Sequence, residues 1–385
     1  MRLALIASSF VPRSGGLERH VEGLARGMAL RGVDVEVVAP DPHVRSPRVS
    51  EHDGVVIRRF PTSIGSPRHA MAPGLWEYVR HSARSWDVVH VHASRRSLGL
   101  AISCMASRQL VFTPHAPIQR LARWPYVSMA RAVIERAAHT VPLSEVEAEL
   151  IRGIFPRAAN RVSAVPAGVD VLGIQRAAPF AYPGRVVLAV GCVERFERVE
   201  RTIAAMASLD HMFRLVVVGN GPAIRRLRRY AADLQVSERV DFVGAVSVEV
   251  LYRWLRTARV LVTLSDEEAS GLPILEALTA GASVVASDVP VHFEAASFAA
   301  GRGLRYVEPH CSPLQLADAI ADVAERRVPR SATLQIPSAQ SVVENMLAVY
   351  GSLGRSSMAP SRMFTNGNLH SSMPAHTGSE VTEGR

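Results

Sequence analysis

Short apolar, β-branched runs recur along the chain and alternate with segments whose apolar residues fall at helical spacing. The runs cover residues 3–7, 33–39, 55–60, 88–92, 110–113, 139–143 and 162–165. Between them, 18–31, 75–86 and 129–138 carry helix patterns. Near-continuous apolar runs mark strands buried on both faces, and strand–helix alternation predicts a parallel sheet between helical layers. The alternation pauses over 175–185, which contains Pro and Gly. It resumes with runs at 186–190, 215–218, 240–242, 260–263 and 283–286. The pattern predicts an α/β protein of two doubly wound domains, over 1–172 and 173–353. Residues 338–353 read as a closing helix of the second domain, with Val342, Val343, Met346, Leu347, Val349 and Tyr350 on or near one face. From Gly354 the composition turns to Ser, Pro, Gly, Asn, Met and His. Such a segment buries too little surface to offset its ordering entropy, so 354–385 reads as a disordered tail.

The chain has 385 residues, 48% hydrophobic and 21% charged, which is globular composition with enough apolar surface for two cores. It excludes a largely disordered chain, a collagen and a coiled coil. The longest uncharged apolar stretches, 97–107 and 277–287, run to roughly 11 residues, against about 20 for a bilayer-spanning helix. No transmembrane segment is expected. The opening MRLALIASSF has a short apolar run without a small-x-small cleavage site and leads into Gly15-Gly16, so it reads as a first strand rather than a signal peptide. Cys104, Cys192 and Cys311 are far apart and odd in number. They suggest neither a disulfide framework nor a zinc site, and a reducing cytoplasm is the default.

All 44 basic residues are arginine. The net charge of +9 is uneven: residues 1–172 hold 22 Arg against 14 Asp and Glu, and residues 173–350 hold 19 against 19. An excess of positive charge in the first half suits an anionic partner, either a membrane surface or a phosphorylated ligand; a solvated basic surface is the plainer alternative. Residues 119–136 add to this. Arg120, Arg123, Arg131 and Arg136 interleave there with Trp124, Tyr126, Met129 and Val133. That mixture fits an anionic lipid interface or an ordinary surface helix.

Ligands of open parallel sheets bind beyond the carboxyl ends of the strands. The first such loop, 8–18, contains Gly15 and Gly16, whose backbone amides could approach an anion at the start of a helix. The fifth predicted strand ends in Thr113-Pro114-His115, which sets His115 on the ligand side, where imidazole can bond a hydroxyl or a developing charge. His20, His90 and His92 are weaker candidates, and the last two read as sheet residues. The strongest signal runs from Glu268 to Glu276, EASGLPILE. A loop carboxylate and a helical one can grip different hydroxyls of one sugar nucleotide. The Gly271 and Leu272 amides between them, near a helix N-terminus, suit a diphosphate.

These motifs occur in an order that resembles the retaining glycosyltransferases of family GT4, over residues 1 to about 352. The resemblance rests on GGLERH at 15–20, DVVHVH at 87–92, Thr113-Pro114-His115, VPLS at 141–144 and VPAGVD at 165–170. It continues through VGNGP at 218–222, FVG at 242–244 and the Glu-x7-Glu element of Glu268 and Glu276. It implies a GT-B fold, in which two Rossmann-like domains face each other across a cleft. The N-terminal domain would take the acceptor and the C-terminal domain a nucleotide diphosphate sugar. By the same resemblance Gly15 and Gly16 meet the donor phosphate, His115 lies near the transferred sugar, Glu268 contacts sugar hydroxyls and Glu276 the ribose. Transfer would retain anomeric configuration, with no metal or other cofactor.

The chain departs from the family after the first strand of the second domain. Where the family carries an Arg and a Lys that clamp the diphosphate, this sequence has Cys192 and Glu197. Losing two cations from a leaving-group site removes several kcal/mol of transition-state stabilisation, and Arg195 or Arg198 is the expected substitute. Ser270 stands where the family has Phe, and Ala167 where it has Asn. Two functions follow: a working glycosyltransferase with a lipid-linked or otherwise anionic acceptor, or a GT-B protein that has lost catalysis and acts by binding or regulation. An epimerase or hydrolase fits the motif order less well, and no nucleic-acid module is indicated. The expected location is cytoplasmic, with peripheral association at the inner membrane face.

Overall fold

A computed structural model describes residues 1–11, 15–62, 72–94, 97–105, 107, 109–193, 198–265, 268–298, 303–326 and 335–353. The tail expected over 354–385 lies outside them. The first sheet contains β1 (Arg2–Ala7), β2 (Asp34–Asp41), β3 (Arg48–His52), β4 (Val55–Pro61), β5 (Val88–Ala93), β6 (Leu110–Pro114) and β7 (His139–Thr140), in the order β3-β4-β2-β1-β5-β6-β7. All its pairings are parallel except β3 with β4. The second sheet contains β8 (Arg185–Val190), β9 (Phe213–Val218), β10 (Val240–Gly244), β11 (Val260–Thr263), β12 (Ser283–Ser287) and β13 (Leu304–Val307), in the order β10-β9-β8-β11-β12-β13 and parallel throughout.

The two α/β units match the expectation from the apolar runs. Strands β1 and β5 are buried along nearly their whole length, as strands covered on both faces must be. Local chemistry sets several helix starts. Ser144 caps the helix Glu145–Ile154 by accepting from the Glu147 amide, and Ser312 with Gln315 forms a capping box on Pro313–Glu325. Strands β3 and β13 go beyond the sequence reading. The run at 162–165 is not a strand; Val162 forms an isolated bridge to Thr140.

The C-terminal helix Ala339–Leu353 corrects the expected domain boundary. It buries Val342, Val343, Met346 and Tyr350, but against Leu3, Leu5, Val21 and Leu24 of the first domain. The Tyr350 hydroxyl lies 2.7 Å from His90 Nδ1 in β5, and Arg31 pairs with Glu344 at 3.0 Å. An apolar helical stripe shows that a helix packs, not which sheet it packs on. The chain therefore crosses between the domains twice, and the crossings touch: Val169 and Ser338 form a parallel bridge, with the Val169 amide donating to the Pro337 carbonyl at 2.8 Å. The domains also meet where Glu294, in the helix Pro290–Ser297, accepts from the Glu145 and Val146 amides at 2.7 and 2.9 Å. A carboxylate from one domain thus caps a helix N-terminus of the other.

Candidate active site

Each sheet reverses its winding direction beside its first strand, β1 in one and β8 in the other, and the crevices that open there are the ligand positions of such sheets. The crevices face each other and enclose a cavity of about 590 Å³. The walls are the carboxyl ends of strands and segments that follow them. Ser8, Ser9 and Gly15–His20 follow β1, Ser94 follows β5, and His115 and Arg120 follow β6. From the second domain come Gly191 and Cys192 after β8, Gly219 and Asn220 after β9, and Glu268–Leu272 (without Gly271) after β11.

On the first-domain side, the helix Gly16–Ala29 starts at Gly15, which has no side chain to cap it, and the first turn of a helix presents amides without intrahelical partners. Glu18 accepts from the Ser9 hydroxyl. Behind this loop stands a group of imidazoles. The rings of His20, His92 and His115 form a near-equilateral triangle, with centroids 5.3–5.4 Å apart. His92 Nδ1 and His115 Nε2 share a hydrogen bond at 3.1 Å. His90 lies below, held by Thr113 Oγ1 at 2.8 Å and by Tyr350. Burial drives all four basicities down, for His20 to about 4, and mutual repulsion adds to the effect for His90, His92 and His115. The cluster is therefore neutral at physiological pH, and His115 offers the cavity a neutral imidazole. Among the described residues, His20, His92 and His115 are the one group of three side chains with metal-capable atoms within 4.8 Å of one another. Two of those nitrogens already satisfy each other.

On the opposite wall, Glu268 Oε1 accepts from the Ser270 amide and hydroxyl, both at 3.3 Å. Ser270 thus fixes the loop carboxylate. Gly271 caps the helix Leu272–Ala280 with φ 58°, and a Cβ there would come 2.5 Å from that of Ala295. Both the left-handed backbone and the space demand glycine. Leu272 lines the cavity, whereas Gly271 is not among its lining residues. Glu276 lies one turn into the helix, only 3% exposed.

Glu276 is not alone there. Arg19, from the first helix of the other domain, forms an ion pair with its Oε1, while Oε2 is buried without a partner among the described residues. Burial disfavours the Arg19 charge, but the Glu276 carboxylate outweighs it and holds the guanidinium above its ordinary basicity. Both charges also bear on Tyr252, whose hydroxyl is raised by burial and by Glu276 and Asp170, against the opposing pull of Arg19.

The structure brings Gly15, Gly16, His115, Glu268 and Leu272 to one cavity, with Glu276 beneath its wall. The expected substitute cations fare differently. Arg198 donates to the Pro309 carbonyl at 2.6 Å and contacts His310, and is not among the cavity residues. Arg195 and Glu197 lie outside the described residues. Cys192 lines the cavity and is not in a disulfide. Arg19 is the residue that sequence reasoning passed over: it stands inside the GGLERH motif, but nothing in a surface-helix arginine announces a partner 257 positions away.

The segment 119–136 is only partly a surface. Leu121, Ala130, Val133 and Ile134 are buried, and Met129 and Tyr126 pack against the core. Trp124, at 89% exposure, is the apolar side chain that stands clear. Among the described residues no helix is long and apolar enough to cross a membrane.

Comparison with known proteins agrees with this architecture. The profile of Glycosyltransferase Family 4 matches residues 14–171, and that of Glycosyl transferases group 1 matches residues 174–336. The chain is 30% identical to a D-inositol 3-phosphate glycosyltransferase of Catenulispora acidiphila, over 88% of this chain and 91% of that one. It is 27% identical to the GDP-mannose:cellobiosyl-diphosphopolyprenol alpha-mannosyltransferase of Xanthomonas oryzae pv. oryzae, over 77% and 81% of the two chains. Among solved structures, the sucrose-phosphate synthase of Thermosynechococcus elongatus superposes with a TM-score of 0.70 at 22% identity, over 92% and 98%. Similarity along both halves, on a shared two-domain frame, makes this chain a glycosyltransferase of family GT4 with the GT-B fold.

Proposed function

We propose that the protein moves a glycosyl group from a nucleotide diphosphate sugar to an acceptor hydroxyl, with retention of anomeric configuration. The observation that carries this reading is the shared cavity. It sets Glu268 and the start of the Leu272–Ala280 helix opposite the uncapped amides of Gly15 and Gly16. The donor would lie along the second domain, its ribose toward Glu276, its sugar hydroxyls on Glu268 and its diphosphate between the helix starts. The acceptor would enter from the first domain beside His115. The neutral imidazole there can donate or accept a hydrogen bond without attracting the diphosphate.

Retention fits a front-face displacement, in which the acceptor hydroxyl attacks from the side the diphosphate leaves and passes its proton to a departing phosphate oxygen. The new bond is between acceptor oxygen and anomeric carbon, and the broken one joins that carbon to the leaving oxygen. No enzyme nucleophile is required, and protein donors rather than a metal would stabilise the leaving group. The basic first half of the chain favours a lipid-linked or otherwise anionic acceptor, presented at the cytoplasmic face of a membrane. The mannosyltransferase relative, whose name carries a diphosphopolyprenol acceptor, supports that class.

A panel of UDP-, GDP- and ADP-sugars, scored for binding and turnover with and without a chelator, tests the proposal. An α-linked product from an α-linked donor, formed in the presence of chelator, is expected. An inverted product refutes retention, and abolition by chelator refutes metal independence. Binding without turnover across the acceptor classes would point instead to a protein that has lost catalysis.

A further inference from the structure

The ion pair between Arg19 and Glu276 is poorly satisfied at both ends. A guanidinium has five N–H donors, and the one hydrogen bond that the Arg19 side chain makes to the described residues runs from Nη1 to Glu276. The Arg19 side chain is 17% exposed and that of Glu276 4% exposed. Glu276 Oε2 is buried with no partner among the described residues. Buried charges left with open valences are costly unless a ligand completes them. Arg19 lines the cavity next to Gly15 and Gly16 and across from Cys192, Gly219 and Leu272. A ligand that completes the pair must bring acceptors with negative charge to the guanidinium and a hydroxyl donor to the carboxylate. A ribose bearing a 5′-diphosphate presents both within one short molecule.

We propose that Arg19 is the cation that binds the donor diphosphate, in place of the family cations replaced here by Cys192 and Glu197. The Arg19–Glu276 pair persists in the complex: the remaining N–H groups of Arg19 donate to phosphate oxygens, and Glu276 Oε2 accepts from a ribose hydroxyl. The clamp therefore comes from the opposite domain. A donor bound this way ties the two domains together, so phosphate recognition and closure of the cleft are one event. Arg198, engaged with Pro309 and His310, is not needed for it. The inference rests on the nucleotide-sugar reading above.

The test is calorimetric binding of UDP, GDP and ADP, and of the matching nucleosides, to wild type, Arg19→Gln, Glu276→Gln, Arg120→Gln and the double variant Arg19→Gln/Glu276→Gln. Loss of a charge-assisted phosphate contact should weaken diphosphate binding roughly 10- to 100-fold in Arg19→Gln. The nucleoside should change by less than about 3-fold, and the salt dependence of diphosphate binding should flatten. Glu276→Gln should weaken nucleoside and diphosphate alike, keeping their ratio. If Arg19→Gln fails to fold because it strands a buried carboxylate, the double variant removes both charges, and its diphosphate-to-nucleoside ratio must still fall. Equal losses for nucleoside and diphosphate in Arg19→Gln would overturn the proposal, because Arg19 would then only position Glu276. So would a fall in the ratio with Arg120→Gln, the other arginine among the described cavity residues, instead of Arg19→Gln. Wild type that binds no nucleoside diphosphate refutes the nucleotide-sugar reading itself. Wild type that binds one, with a ratio indifferent to Arg19, refutes the role of Arg19 alone.

Discussion

Replacing Glu147 by Gln should stabilise the protein in a pH-dependent way. Glu147 is 3% exposed, in the first turn of the helix Glu145–Ile154, and accepts from the Ile118 amide at 2.7 Å. Burial pushes its carboxyl up to about 7 from 4.5; the Ile118 bond opposes the rise, and the Glu294 charge adds to it. Between those two values the folded chain holds a proton that the unfolded chain has lost. Stability therefore falls as pH rises through this window and levels off above it. A rise of about 2.5 units, at about 1.4 kcal/mol each, puts the full cost near 3.5 kcal/mol. Glutamine keeps the volume and an acceptor for Ile118, but has no proton to lose. About 2.5 kcal/mol of that develops between pH 5 and pH 8, so at roughly 2–4 °C per kcal/mol for a domain of this size the variant's advantage in Tm should widen by roughly 5–10 °C over that range. Scanning calorimetry of both proteins across that range measures the difference, and other titrating groups cancel in it. Parallel curves of Tm against pH would refute the reasoning, as would a variant less stable than wild type at pH 8.

Three further outcomes are expected. Glu294→Ala removes two hydrogen bonds that cross between the domains and should cost about 1–3 kcal/mol. It should enlarge the radius of gyration in solution scattering, and unchanged scattering and melting would dismiss the contact as incidental. Tyr350→Phe strips His90 Nδ1 of its buried partner and should lower stability by about 1–3 kcal/mol; a neutral effect in denaturant titration would contradict the network. Arg123→Glu with Trp124→Ser, both outside the cavity lining, should reduce sedimentation with anionic vesicles and flatten its salt dependence. Equal binding of wild type to neutral and anionic vesicles would remove the electrostatic membrane surface.

The buried parallel strands were legible because their apolar runs leave little other choice. Strand β3 was not, because it is the edge of its sheet and four of its five residues are exposed. The signal was present all the same: Asp53-Gly54 joins β3 to β4, and such a pair between strands marks a tight hairpin. The helix at residue 339 onward was legible as a helix, while its partner was not, since Val342, Val343 and Met346 would fit either sheet. In the site, Glu268, Gly271 and Glu276 stand close in sequence, and their spacing carries the message. Arg19 depends on a contact between domains, and Glu294 caps a helix some 150 positions away. Such pairings exist only after both domains have folded and docked, so no local pattern encodes them.

The double crossing of the chain also orders its assembly. The second domain is an insertion into the first: its core lies between Ala167 and Ile336, while the first domain's core takes Val342 to Tyr350 from the far end. On the ribosome, the apolar face around Leu3, Leu5 and Val21 must therefore wait for its cover until the whole second domain has been made. At about 5–20 residues per second, that interval lasts roughly 10–35 s. The second domain is continuous in sequence and can close first. The N-terminal half is then the last to be sealed, and its open face is the surface that a nascent-chain chaperone would be expected to shield.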